Sequence, residues 1–308
     1  MKLFKLSAIA VAFALAACTD KPAPVDSNPQ TATAPVSAVV VDNSAVDQSA
    51  LDAQKSSGFE SRIADVLAMS HRSEANRARD KYRHPAETLS FFGLNDAQTV
   101  VEISPGGGWY TEILAPLLNE RGNYLAALND PEKAANDKAK AYYAKQNGEF
   151  EAKFKANPEL YGKAAMVLID AKAPNFGPAG SADLVLTFRN VHNWMGQGAA
   201  ENMFKGFFDV LKSGGKLGVT EHRAAAGTDA KLSAETGYLS EDVVIKLALD
   251  AGFVLEEKSE INANPLDTKD YKGGVWTLPP SLSQGEVDKA KYLAIGESDR
   301  MTLLFKKP

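Results

Sequence analysis

Cysteine is nearly absent from this chain: Cys18 is the only one in 308 residues. A disulfide needs two, so no bridge holds the fold. Histidine is sparse as well, four dispersed residues, and no zinc-type ligand spacing appears, so no metal is implied. Basic charge is in deficit, with 34 Lys and Arg against 39 Asp and Glu and a formal net charge of −5. No Lys/Arg stripe marks one face, which argues against nucleic acid as a partner. Long apolar runs are missing too, apart from residues 8–16, which are too few for a comfortable membrane span. The remainder, 44% hydrophobic and 24% charged, suits a folded globular chain. Its length suits one sizeable α/β domain with appendages, or two small ones.

The start of the chain carries its own signal. Lys2 and Lys5 precede the apolar run at 8–16, which ends in Leu15-Ala16-Ala17-Cys18. That pattern resembles a bacterial lipoprotein signal, with residues 1–17 as the leader and Cys18 as the lipidated residue. Thr19 rather than Asp follows, and by the same resemblance this favours the outer membrane of a Gram-negative envelope, facing the periplasm. Residues 18–56 are rich in Ala, Pro, Ser, Thr, Val and Asp and almost lack aromatics. They are expected to form a disordered tether, since they cannot bury enough apolar surface to fold.

Two amphipathic helical segments are expected over residues 57–95, the first on Phe59, Ile63, Val66 and Leu67 and the second restarting at Pro85. From residue 96 onward strands and helices alternate. Strands are expected at 99–104, 124–128, 165–169, 183–188 and 216–221, with two more at 253–261 and 301–306. Helices are expected from Gly108 to the Arg121-Gly122 stop, over 131–163, over 199–211, and from a Ser240 cap to Gly252. Pro116 falls inside the first of these helices, where it should kink it. The expected fold is α/β: a Rossmann-like, seven-stranded, mostly parallel sheet with helices on both faces and an antiparallel last strand. The stretch at 262–300 reads as an insert before that last strand.

The most informative segment is TVVEISPGGGWYTEIL, beginning at Thr99. An apolar strand carries one acid, Glu102, then runs through three glycines, Gly106 to Gly108, into a helix. Strand, glycine turn and helix build a nucleotide-type pocket at the carboxyl end of the first strand of an open sheet. An NAD-type fingerprint needs a further glycine at an offset this turn lacks, and here the acid precedes the glycines. On these residues the chain resembles the class I S-adenosylmethionine-dependent methyltransferases. It is most similar to a "predicted methyltransferase" family whose members read PGGGWYTEILAP. The resemblance covers about Glu74 to the C-terminus and departs at Ser104, where the superfamily places the first glycine of its motif.

That resemblance implies S-adenosylmethionine as cofactor, with Glu102, Ser104, Gly106, Gly107 and Gly108 at its methionine and ribose end. A second acid should grip the ribose hydroxyls. Asn129 and Asp130 are the candidates, Asp130 being favoured, although it is equally placed to cap a helix at Pro131. Asp170 matches the aspartate that accepts from the adenine amino group, and could also be a plain loop acid. Asp183 reads as a structural turn acid. His192, leaving the fourth strand, is the candidate catalytic base, with a packed histidine as the other reading; Glu221 and His222 lie in a comparable place at the end of the fifth strand. Tyr110 could cover the cofactor, and Arg189 could pair with an acid or a substrate anion. In the insert, Tyr271, Trp276, Tyr292 and Arg300 offer aromatic and cationic surface to a small organic substrate, or cap the sheet edge. The implied function is methyl transfer to a small molecule. The alternative is a lipid-anchored binding domain that keeps the fold without turnover.

Overall fold

The computed structural model describes residues 48–229 and 235–308; the leader, Cys18 and most of the expected tether lie outside the described residues. Among the described residues no helix is long and apolar enough to cross a membrane. Helix α1, Gln48–Ala68, begins inside the stretch expected as tether. Three short helices follow: α2 (Glu74–Arg77), α3 (Asp80–Arg83) and α4 (Pro85–Phe91).

The sheet is built from β1 (Thr99–Ile103), β2 (Asn123–Asn129), β3 (Ala165–Ile169), β4 (Ala182–Phe188), β5 (Leu211–His222), β6 (Val254–Ser259) and β7 (Arg300–Lys306). Their spatial order is β3-β2-β1-β4-β5-β7-β6. β7 runs antiparallel between β5 and β6, and the other pairings are parallel. Strand order reverses between β1 and β4, the position where an open α/β sheet leaves a crevice beyond its carboxyl ends. The expected seven-stranded, Rossmann-like sheet with its antiparallel finish is the fold observed.

Alternation along the strands sorts side chains between two cores. Val101 and Ile103 of β1 join the core under α9 (Ala200–Val210), whose Met203, Phe204, Phe207 and Val210 recur at helical spacing. Val100 points the other way, into the core beneath α1, α4 and α5 (Thr111–Leu118). Glu102 is on that same second face by the two-residue period. α5 is buried along its whole length.

Pro116 inside α5 has a structural answer. Proline cannot donate to the carbonyl four residues earlier, that of Glu112. His71, in the turn after α1, places Nε2 2.7 Å from the Glu112 carbonyl oxygen and donates in its place. The helix stops at Leu118, before Arg121-Gly122. Gly122 is there for close approach, because a Cβ would lie 2.6 Å from the Gln98 carbonyl oxygen. The long helix expected over 131–163 is divided into a 3-10 turn (Pro131–Lys133), α6 (Asp137–Ala156) and α7 (Pro158–Tyr161), with Pro131 and Pro158 each opening a new segment. Ser240 holds the N-cap position of the helix Glu241–Asp250 without a side-chain cap bond. The insert is a 3-10 turn (Gly274–Thr277) and a short helix (Lys289–Ile295) joined by irregular chain.

Gly218 in β5 lets the N-terminal helices sit on the sheet: a Cβ there would lie 2.7 Å from both Leu186 Cδ2 and Phe92 Cγ. Both neighbours are fully buried. Gly218→Ala should therefore destabilise the fold by about 1–3 kcal/mol through overpacking, measured as a lower denaturant midpoint at unchanged m-value.

Candidate functional site

The turn after β1 is wound through the left-handed region. Ser104 has φ +46°, Gly106 +59° and Gly108 +76°. Ser104 thus occupies, at some cost in strain, a conformation that glycine adopts freely. Asn190, just past β4, fixes the turn by donating from Nδ2 to the Ile103 carbonyl oxygen at 2.9 Å and to Thr187 Oγ1 at 3.2 Å. A Cβ on Gly106 or Gly107 would meet nothing within 4 Å, so both open onto free space. Gly108 does not. A Cβ there would meet Phe150 and Lys153 of α6 at 3.1 and 3.3 Å, so this glycine serves helix packing rather than the pocket.

Three connected cavities lie along the carboxyl ends of the strands. One of about 230 Å³ is walled by Ser104, Gly106, Asn129, Tyr142 and Asn190. It shares Asn129 and Tyr143 with a second, of about 410 Å³, walled also by Asp130 and Asp170. Asp130 caps the turn after β2, accepting from the Glu132 N–H at 2.9 Å; Asp170 accepts from the Lys172 N–H at 2.9 Å. In each case one carboxylate oxygen is used, and no described residue bonds the other. The two acids expected at the ribose and the adenine amino group therefore share one cavity, each with an oxygen to spare.

Glu102 is placed differently. It is 2% exposed, and its Oε2 accepts from Tyr124 at 2.6 Å and from Thr111 at 2.8 Å. Burial pushes its pKa up to about 7, against the lowering effect of the two hydroxyls. It is held by side-chain hydroxyls rather than by turn N–H groups, behind the glycine turn. Tyr110 is also packed away: it stacks on Phe188 with ring centroids 3.5 Å apart, and does not cover the main cleft. Asp183 is structural, accepting from the Thr99 N–H at 2.8 Å and from Lys212 at 2.6 Å.

The third cavity, about 440 Å³, runs from Ser104 and Gly106 past His192, His222 and Trp276. His192 Nδ1 lies 3.0 Å from Glu221 Oε1. The Glu221 carboxylate is fully buried and also takes the N–H groups of Val191 (2.6 Å), His192 (3.3 Å) and His222 (2.8 Å). With only acceptor oxygens facing it, His192 Nδ1 carries the hydrogen and Nε2 presents a lone pair. His222 Nδ1 meets Ser298 Oγ at 2.6 Å. Burial, then His192 and the nearby arginines, depress the His222 pKa and keep it neutral.

His192, Glu221 and His222 bring ligand atoms within 4.8 Å of one another, a metal-capable trio the sequence spacing did not disclose. Its carboxylate is already saturated by N–H donors, and the surrounding charge is positive, so the trio works better as an oriented base than as a cation site.

That positive charge comes from Arg189 and Arg300, which the sequence singled out, and from Arg79 and Arg83, which it did not. Arg79, at the N-cap position of α3, and Arg83, in its last turn, reach Glu297 of the insert, Arg79 Nε to Oε1 at 2.6 Å and Arg83 Nε to Oε2 at 3.0 Å. Arg300 Nη1 joins at 3.1 Å, and its Nη2 donates to the Tyr82 carbonyl oxygen. Arg189 stands beside them at φ +62°, and no described residue bonds its guanidinium. Burial would raise the Glu297 pKa, but the four guanidinium groups outweigh it and hold the value at about 2. Burial and the other arginines lower Arg189 to about 10. Asp299 is clamped by Arg223 (Nε–Oδ2 3.0 Å, Nη2–Oδ1 2.9 Å), which anchors the insert where Glu297 and Ser298 enter the cleft. Tyr271 and Tyr292 pack on each other and line none of the three cavities, whereas Trp276 does line the third.

No family model matches the chain, and no curated protein matches it. Solved structures do. Geranyl diphosphate C-methyltransferase from Streptomyces coelicolor aligns with 12% identity over 79% of this chain and 88% of that one, at a TM-score of 0.51. A SAM-dependent methyltransferase from Aquifex aeolicus aligns with 18% identity over 66% and 93%, TM-score 0.44. The [4+2]-cyclase SpnF aligns with 15% identity over 85% and 95%, TM-score 0.49. At these identities the likeness is one of fold: the chain has the Rossmann-like methyltransferase fold.

Glu102 gives the site a pH signature. Its folded pKa, about 7, exceeds its unfolded value of 4.5, so the folded state binds the proton more tightly. The resulting stabilisation is complete below about pH 4.5 and is lost as pH rises through 7, up to roughly 3 kcal/mol. Glu102→Gln should flatten that slope and be the more stable of the two at pH 8, as read by denaturant unfolding at pH 5 and pH 8.

Proposed function

We propose that this protein is an S-adenosylmethionine-dependent methyltransferase acting on a small molecule, tethered by lipid at Cys18 to the envelope of a Gram-negative bacterium. The observation that carries the reading is the open cleft at the strand-order reversal. There the left-handed Gly106 turn leaves room for a ligand on one side, and Asp130 and Asp170 each turn an unused oxygen to the same cavity. Those residues fit the donor's chemistry. Carboxylates accept from ribose hydroxyls and an adenine amino group, and an uncrowded glycine turn admits a thioether chain. Asn129 joins the two cavities and is the natural neighbour of the ribose.

The cofactor supplies a methyl group on a sulfonium. Its transfer would be an in-line displacement, the acceptor's nucleophile taking the methyl carbon and the carbon–sulfur electron pair remaining on sulfur. Alignment of the two partners accounts for most of the acceleration. His192 Nε2, held by the Glu221 carboxylate through Nδ1, is positioned to take the proton that an oxygen or nitrogen acceptor releases. His222, kept neutral beside it, adds no charge to repel a cationic donor. Trp276 and the rest of the insert wall cover the acceptor side of the cleft. The lipid anchor rests on the Leu15-Ala16-Ala17-Cys18 pattern alone.

Calorimetric titration with S-adenosylmethionine and S-adenosylhomocysteine tests this. Binding of both is expected. Gly107→Val, which places a side chain in the free space over the turn at a position without positive φ, should weaken it at least about tenfold while far-ultraviolet dichroism stays unchanged. No heat from either ligand would remove the enzyme reading. Methyl release to acceptors in membrane fractions separates turnover from binding without catalysis.

A further inference from the structure

We infer that the arginine cluster at the insert end of the cleft is a subsite for a doubly charged oxyanion, a phosphate or a pair of carboxylates, on the acceptor molecule. The word acceptor rests on the methyl-transfer reading; the anion site itself does not.

Four guanidinium groups, those of Arg79, Arg83, Arg189 and Arg300, face one carboxylate, Glu297. Other acids in the region are committed elsewhere: Asp80 to Arg72, and Asp299 to Arg223 and Lys269. The cluster therefore holds a formal surplus of three positive charges in a site largely removed from water. Uncompensated charge of that kind is costly to bury.

Three donor groups are also left over. Arg79 Nη2, Arg83 Nη2 and Arg300 Nε are buried with no hydrogen-bond partner, and Arg83 itself is only 1% exposed. Arg189 is held in a left-handed conformation rare for its type, and no described residue bonds its guanidinium. Strain and unmet donors persist where a ligand repays them. Arg79, Arg83, Arg189 and Glu297 line the cavity that holds His192, with Arg300 behind them bonded to Glu297. The planar, forked donors suit oxyanions, which accept several N–H bonds at once.

Charge also separates the acceptor from the cofactor as the source of the anion. S-adenosylmethionine has one carboxylate against an ammonium and a sulfonium, so on balance it adds positive charge to an already positive cleft. A dianion on the acceptor offsets the arginines and makes the cleft hospitable to the sulfonium.

The test is calorimetric titration of the full chain with inorganic phosphate and, separately, succinate, each alone and with saturating S-adenosylhomocysteine. At least one of the two anions is expected to bind. Arg189→Gln and Arg79→Gln should each weaken it about tenfold or more, and Arg189→Lys should recover part of the loss. Arg189 makes no ion pair among the described residues, so its replacement is expected to leave the fold intact, checked by thermal melts. S-adenosylhomocysteine should leave anion affinity unchanged or tighter. Failure of both anions to bind overturns the inference, as does binding that ignores both substitutions. Displacement by S-adenosylhomocysteine also overturns it, because the arginines would then serve the cofactor's own carboxylate. Arginine-dependent phosphate binding with no binding of S-adenosylhomocysteine would leave the anion site standing and remove the methyl-transfer reading instead.

Discussion

Glu297 is the anion on which the insert end of the cleft depends. Its carboxylate joins the N-terminal helix α3, through Arg79 and Arg83, to the last strand, through Arg300. Without it, mutual repulsion would drive those segments apart, since buried guanidinium groups cannot shed their charge at ordinary pH. The ion pairs do not simply add stability, because the charges were costly to bury. What they achieve is placement: two parts of the chain distant in sequence, residues 79–83 and 297–300, are brought to one wall of the cleft. Arg83 also lies over the Trp109 ring, 4.6 Å from its centroid, as does Arg72 at 5.2 Å. The arginine wall and the glycine turn are thereby linked.

That linkage changes the meaning of the segment that follows the glycines. Trp109 donates to the Asn76 carbonyl oxygen and carries two arginines. Tyr110 stacks on Phe188. Thr111 donates to Glu102. Glu112 accepts from Asn76 and Lys153, and Pro116 leaves a carbonyl for His71. Only the first part of the segment opens onto the cleft. The rest fastens the N-terminal helices and α6 around it.

The succession of strands and helices and the glycine turn were legible in the sequence because they are local patterns: a two-residue alternation, a left-handed glycine, a helical stripe. Asp130 and Asp170 could be named for the same reason, since each directly follows a strand. Glu102 could be named as a strand acid, but its surroundings could not be foreseen. Whether a strand-end acid meets a pocket or a pair of hydroxyls depends on Thr111 and Tyr124, and that is a matter of packing. Arg79, Arg83 and Glu297 gave no signal at all, because their partners are more than two hundred residues apart in the chain. The Glu221–His192 pair sits at the ends of adjacent parallel strands, β4 and β5, so strand pairing could have suggested it.

The position of β7 has a consequence for how the chain is made. It is the last strand to be synthesised and yet it lies inside the sheet, between β5 and β6. Until it emerges, β6 has no neighbour to pair with, and one side of β5 is an open edge. β7 also begins with Arg300, so the same event that closes the sheet completes the arginine wall. During synthesis the cleft is therefore unfinished until β7 is in place, and a chain cut short before it would have neither the closed sheet nor the full arginine wall.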